Sequence, residues 1–303
     1  MLIFLLTTCL FSCKASKEAI SETKDSQKHE KLANALLWEI SGNELEKKSY
    51  LFGTIHIIND EDFFYPQGTL SAIDNVEKMV FEIDMDDMTD MSKAMAMLQK
   101  AFMDGGKTLK DLLSNEDYDL VNRHFKRIGL PLFFLERIKP MFLTVFASGD
   151  FKPEDLQSGK IKSYEMEFSK IANEKELPTS GLETVEFQIS IFDEIPYEDQ
   201  ARMLVETIKS SDTGSNEFKE MIEIYKKQNI NAMQTMIKGD ETIQEYEDVL
   251  LVGRNRNWIP IMKNMMAEGP TFFAVGAGHL GGENGVINLL KAEGYKLKPV
   301  IGI

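Results

Sequence analysis

Two short apolar runs, one near each end of the chain, constrain its fold more than any other feature. Residues 50–58 read YLFGTIHII and residues 271–285 read TFFAVGAGHLGGENG. In each, β-branched and aromatic residues bounded by glycine spell a buried strand. Each strand runs into Gly-x-x-His: Gly53 to His56, and Gly276 to His279. The glycine lets the backbone leave the strand or approach another group closely. A lone hairpin is not stable, so the two ends are expected to share one sheet. Sharing it brings His56 and His279 together, and these are two of only four histidines in the chain. The plainer alternative is a pair of hydrogen-bonded core histidines without chemistry.

Composition narrows the class. With 303 residues, 43% hydrophobic and 27% charged, the chain has ample core for a folded domain. Its net charge of -15 argues against nucleic acid as a partner, because phosphates are repelled, and it suits concentrating cations near carboxylates. Leu2–Phe11 is an apolar run of signal-peptide length. It leads into Leu10-Phe11-Ser12-Cys13, which resembles a bacterial lipoprotein cleavage box. The expectation is a signal peptide over residues 1–12, a lipid-modified Cys13, a flexible tether over 13–33 and one domain over 34–303. An ordinary signal peptide with an incidental cysteine is the alternative. Both cysteines, Cys9 and Cys13, lie in this segment, so the folded part is expected to hold no disulfide. Such a leader implies an exported protein of the bacterial cell envelope, periplasm-facing or at the outer membrane, attached to the membrane through its lipid anchor.

Between the two ends the periodicity is mostly helical. Leu36–Ile40 and Tyr50–Ile58 form a strand pair turning at Gly42-Asn43, followed by a loop over Asn59–Pro66. A helix is expected over Leu70–Lys78, a strand over Met79–Asp84 and a methionine-rich helix over Met88–Met103. Ser114 and Asp117 resemble a capping box for a helix ending near Ile128. Leu132–Ser148 reads as helix interrupted at Pro140, Tyr164–Glu174 as helix, and Leu177–Ser180 as a link or short strand. Glu183–Lys238 and Thr242–Ala267 are helical, with breaks at Pro196 and near Ser210–Ser215. The last residues give strand, Gly-rich loop, helix and strand, a small βαβ unit. The fold class is therefore α+β, with a central sheet built from both ends and a long helical middle.

Five blocks carry a family resemblance. YLFGTIHI, FEID, GLET, RNRNW and VGAGHLGGENGVINLLKAEGYKLKPV, in that order from about Leu36 to Val300, resemble the TraB/GumN family, which includes the TraB and PrgY pheromone-shutdown proteins and the Tiki metalloproteases. The resemblance implies a Tiki-like fold and a metal-dependent hydrolase site. Carried over position by position, the family's site residues become His56, His279, Glu82, Glu183 and Arg254. On that reading His56, Glu82 and His279 hold a divalent cation such as manganese, cobalt or zinc, with one coordination position open. Glu183 serves as general base or orients a ligand, and Arg254 stabilises an oxyanion or clamps a carboxylate. Each acid and the arginine has a structural alternative: a buried Glu82–arginine pair, a helix N-terminal role for Glu183, and a salt bridge for Arg254. Gly53, Gly276 and Gly278 would bring backbone N–H groups to a bound peptide or protein substrate. The Gly-rich loop matches neither the P-loop nor the dinucleotide spacing. The runner-up function is a non-catalytic protein that sequesters a peptide or pheromone at the same site.

Overall fold

The hairpin near the amino end sets the frame. Leu37–Ser41 (β1) and Ser49–Thr54 (β2) pair antiparallel, with Leu37 opposite Phe52. The turn holds Gly42, Asn43 and Glu44 at positive φ, and Leu45 N–H closes it onto Gly42 O at 3.1 Å. These elements belong to a computed structural model that describes residues 31–84, 98–147, 155, 158–212, 217–239 and 244–301. The leader, Cys13, the tether up to Glu30 and most of the methionine-rich stretch lie outside the described residues.

Along the chain follow β3 (Ile58–Asn59), α1 (Thr69–Ile73), β4 (Lys78–Ile83), α2 (Leu109–Leu112), α3 (Asn115–Arg127), α4 (Pro140–Ala147), β5 (Ile161–Lys162), α5 (Tyr164–Glu174), β6 (Thr179–Glu183) and α6 (Val185–Asp193). Then come α7 (Tyr197–Asp212), α8 (Glu217–Lys226), α9 (Ile230–Gly239), α10 (Gly253–Glu268), β7 (Thr271–Gly276), α11 (Val286–Ala292) and β8 (Lys296–Pro299). The main sheet has six strands in the order β6-β4-β7-β2-β1-β8. Four neighbours, β6, β4, β7 and β2, run parallel, while β1 is antiparallel to both β2 and β8. Both chain ends contribute, as the two apolar runs require, and the fold is α+β.

Burial explains the composition of the strands. In β7 every residue from Thr271 to Val275 is buried, the mark of a central strand covered on both faces. Phe52 and Phe272 share one face with the α5 rings, and Phe52 meets Phe168 edge-on at 5.0 Å. Leu51 and Phe273, which alternate to the other face, are fully buried too. Each such side chain contributes roughly 1.5–3 kcal/mol through burial. A second cluster, with Val121, Phe125, Leu143, Leu204 and Ile208 at its centre, joins α3, α4 and α7 away from the sheet.

Several elements differ in extent from the sequence expectation. The strand expected through Ile58 ends at Thr54, and Ile58–Asn59 pairs instead with β5. The helix expected over Leu70–Lys78 is only Thr69–Ile73, because Lys78 already belongs to β4. Pro140 begins α4 rather than interrupting a helix, since the first turn needs no proline N–H. The preceding Leu132–Phe134 is a single 3₁₀ turn. Of the link at Leu177–Ser180, only Thr179 and Ser180 belong to β6, which continues through Glu183. The carboxyl-terminal βαβ unit exists, but β2 and β1 lie between its two strands. The Ser114 cap is as expected: its hydroxyl accepts from Asp117 N–H at 3.1 Å.

Candidate active site

Parallel strands deliver their carboxyl ends to one edge of a sheet, the usual place for a site in such folds. Here four adjacent strands do so. Glu183 is the last residue of β6 and stands in register with Ile83, the residue after Glu82 on β4. Gly276 ends β7 in register with Thr54, which ends β2. A 3₁₀ turn over Ala277–His279 follows β7, and His56 follows β2 by two residues.

Arg254 joins the two acids. It enters at the start of α10, just after a π-helical turn over Asp248–Val252. That wide turn leaves a carbonyl, Leu250 O, which accepts from Arg254 Nη1 at 3.2 Å. The guanidinium donates through Nη2 to Glu82 Oε2 at 2.6 Å and through Nε and Nη2 to Glu183, the latter at 2.8 Å. Glu82 Oε1 accepts the Gly276 N–H at 2.8 Å. Glu183 also accepts from Trp258 Nε1–H at 2.8 Å and from Gln188 at 3.1 Å. All three charged side chains are largely shielded from solvent and pair with one another. Burial opposes the charge on Glu82. The fields of His279, Arg254 and His56, with the Gly276 hydrogen bond, outweigh it and hold the carboxyl well below the usual range.

The two histidines are held differently. His279 is buried, with its ring 4.4 Å from that of Trp258. The Asn255 amide is oriented by its Nδ2–H bond to Asn284 O at 2.9 Å, so Oδ1 faces His279 Nδ1 at 2.6 Å and accepts its proton. Nε2 is then the nitrogen carrying a lone pair. It accepts from Arg254 Nη1 at 3.2 Å and lies 3.8 Å from Glu82 Oε1. Burial pushes this imidazole down to about 3, with Arg254 adding to the effect against Glu82. His56 is exposed and donates from Nδ1 to Glu165 Oε1 at 3.0 Å. The hydrogen bond and charge of Glu165 raise it to about 9. Glu165 is fixed in turn by the Thr54 hydroxyl at 2.7 Å and the Ser163 hydroxyl at 2.8 Å. His56 is near enough for its charge to act on both Glu82 and His279.

The structure thus gathers Glu82, Glu183, Arg254 and His279 into one hydrogen-bonded cluster and sets His56 beside it. The glycines do other work. Gly53 N–H is given to Leu36 O at 2.9 Å, and a Cβ at Gly53 would lie 2.9 Å from Leu280 and 3.0 Å from Ala277. Gly276 N–H is taken by Glu82, and Gly278 O accepts from Gln234 at 2.5 Å. The N–H groups of Gly53 and Gly276 are therefore committed within the protein rather than presented to a substrate. His124 sits apart in the second cluster, hydrogen-bonded to Phe146 O and Arg127, and His29 lies outside the described residues. Glu165 and Gln188 had no signal in the sequence, being two acidic or amide residues among many on helices. Asn255 and Trp258 stand in the RNRNW block but show their roles only through contacts.

The donor chemistry suits a divalent cation: two imidazoles, each with Nδ1 tied to a side-chain oxygen, and a carboxylate. Their spacing is not that of a closed cage, since among the described residues no three His, Cys, Asp or Glu groups stand close enough to hold an ion. The comparisons run the same way. The metalloprotease TIKI1 of Xenopus tropicalis is 23% identical over 96% of this chain and 66% of its own length. TIKI1 of Homo sapiens is 23% identical over 88% of this chain and 62% of its own, and TIKI2 of Danio rerio 21% over 97% and 67%. The chain spans 66% or less of the length of these TIKI1 relatives. No solved structure matches it. Its residues 36–299 match the TraB/PrgY/gumN family, so the chain belongs to that family.

Proposed function

We propose that this chain is a metal-dependent hydrolase acting on peptides, tethered to a bacterial envelope membrane through Cys13. The observation that carries the reading is the pair of side-chain-oriented histidines, His56 and His279, at one sheet edge with Glu82 and Arg254. The metalloprotease relatives support it. His56, Glu82 and His279 would hold the cation. When bound, a divalent cation supplies an electrophile and acidifies water.

The protein's own groups prepare the site. Asn255 fixes His279 in the tautomer whose Nε2 is a lone-pair donor. Glu165 orients His56, which must release a proton before it can act as a ligand. Arg254 pairs with Glu82 and Glu183 and holds fixed positive charge where negative charge would develop on a substrate oxygen. Trp258 and Gln188 lock Glu183 in place, which suits it to positioning Arg254.

The test is metal analysis of the full chain purified without chelator and reloaded with manganese, cobalt and zinc in turn, followed by a peptide-library cleavage assay. The parent is expected to hold near-stoichiometric metal and cleave peptide. The His56→Ala/His279→Ala variant should do neither while keeping its circular dichroism. Undiminished cleavage by that variant overturns the reading. Stoichiometric peptide capture without turnover by the parent replaces it with the sequestering one.

A further inference from the structure

Far from this site in sequence, the α3–α4 connection holds an aromatic tip that the core does not use. Phe133 and Phe134 are 78% and 73% exposed, and their rings meet edge to face at 5.4 Å. Two adjacent phenylalanines this exposed are unusual on a chain whose other large aromatics mostly pack inward. The tip is rigidly founded: Leu132 between the helices is buried in the second cluster, with Leu130 and Leu135 packed against it. Its backbone is satisfied locally, Phe134 N–H to Pro131 O at 3.1 Å and Leu135 N–H to Leu132 O at 2.8 Å. A turn with paired backbone groups enters an apolar medium without stranding donors.

The charge around it is opposite to that of the protein. The chain carries -15, yet the segments that flank the tip expose Arg123, Lys126, Arg127 and Arg137. The acids of α3 stand at its other end, with Glu116 and Asp117 in the first turn and the basic residues in the last. Glu136, the acid next to the tip, is turned to Tyr118 and Lys110.

We propose that the Leu130–Leu135 turn docks on an anionic phospholipid surface, with Phe133 and Phe134 entering the interface and the flanking basic residues meeting the headgroups. An exposed aromatic turn flanked by Lys and Arg matches that surface, whereas an apolar peptide needs a groove and a second copy brings the same positive charge against itself. The inference does not depend on the hydrolase reading or on a lipid at Cys13.

The experiment uses the full chain carrying Cys9→Ser and Cys13→Ser, with a polarity-sensitive fluorophore on Phe134→Cys. A second preparation carries the label on Glu116→Cys, at the far end of α3. Phosphatidylglycerol vesicles should blue-shift the label at 134 but not that at 116. Phosphatidylcholine vesicles should give little shift, and about 0.5 M salt should weaken the response. In the same double-serine background, Phe133→Ser/Phe134→Ser should lower vesicle affinity about tenfold with unchanged circular dichroism. An unshifted label at 134, equal shifts at both positions, or parent-level affinity in the double-Phe variant overturns the proposal. So does a shift that grows with protein concentration without vesicles, because a second copy then covers the tip.

Discussion

The ends of β2 and β7 carry the same four-residue pattern, side by side and in parallel, yet they place histidines of opposite character. At the end of β7 the ring is buried, neutral and wedged among Asn255, Trp258 and Arg254. At the end of β2 the ring is exposed, raised to about 9 and held by one carboxylate. The difference does not come from the motif. It comes from what packs opposite: α10 brings an amide and a guanidinium to His279, and the start of α5 brings Glu165 to His56. A shared motif therefore sets where an imidazole stands, and its neighbours set which proton it keeps.

The largest break in this comparison is at Arg254, which hydrogen-bonds to His279 at the end of β7 and ties it to Glu82 and Glu183. Arg254→Met leaves Glu82 and Glu183 buried without a cation, at a cost of about 3–5 kcal/mol in urea unfolding at pH 7. The pH dependence gives the mechanism. Glu82 is depressed in the folded parent, so its contribution is present above the ordinary carboxylate range and is lost as pH falls. The gap between parent and variant should therefore narrow as pH falls from about 5 toward 3. A gap that stays constant over that range would assign the loss to packing instead.

Much of this was legible before any coordinates. The strand ends were readable because alternating burial forces Phe, Val and Leu into short runs that glycine terminates, so β2, β7 and the meeting of His56 with His279 follow from pattern and topology. Glu82 reads as a residue near the end of a buried strand, but its site role and that of Glu183 came through the family resemblance, and Glu183 reads as a helix start where it in fact ends β6. Arg254 needed the family resemblance, since one arginine on a helix carries no local mark. Glu165 was not readable at all: it reaches His56 across more than a hundred residues through a packing of α5 that no local period encodes. The glycines misled for a related reason. Gly53 looks like a substrate contact in one dimension, but Ala277 and Leu280 occupy the space a Cβ would take. Helix lengths failed where a tertiary pairing overrode propensity, as at Lys78, which β4 claims by pairing with Thr271.

A smaller effect sharpens the β7 side. Asn255→Ala removes the acceptor of a buried Nδ1–H and the donor to Asn284 O, and should cost about 1–3 kcal/mol in the same unfolding measurement. Asn255→Asp keeps an acceptor but adds negative charge, so the His279 imidazole should titrate above its present value of about 3 in a proton NMR series. If Asn255→Asp leaves that midpoint in place, the amide is not what selects the tautomer.

The smallest effect on stability tests the β2 side. Glu165→Gln keeps an oxygen for the Thr54 and Ser163 hydroxyls but removes the charge that faces His56. In the metal-free protein the His56 midpoint should fall from about 9 toward the ordinary value near 6.5, followed by NMR of the ring protons. The sign for stability follows. A histidine raised on folding contributes fully below its unfolded value and loses that contribution as pH rises through about 9. Parent stability should therefore decline gently between those two values, and the Glu165→Gln curve should be flatter there. Because His56 is mostly exposed, solvent screening keeps the decline small. A His56 midpoint that does not move in Glu165→Gln would show that the two histidines differ by burial alone, and the role given to α5 would fall.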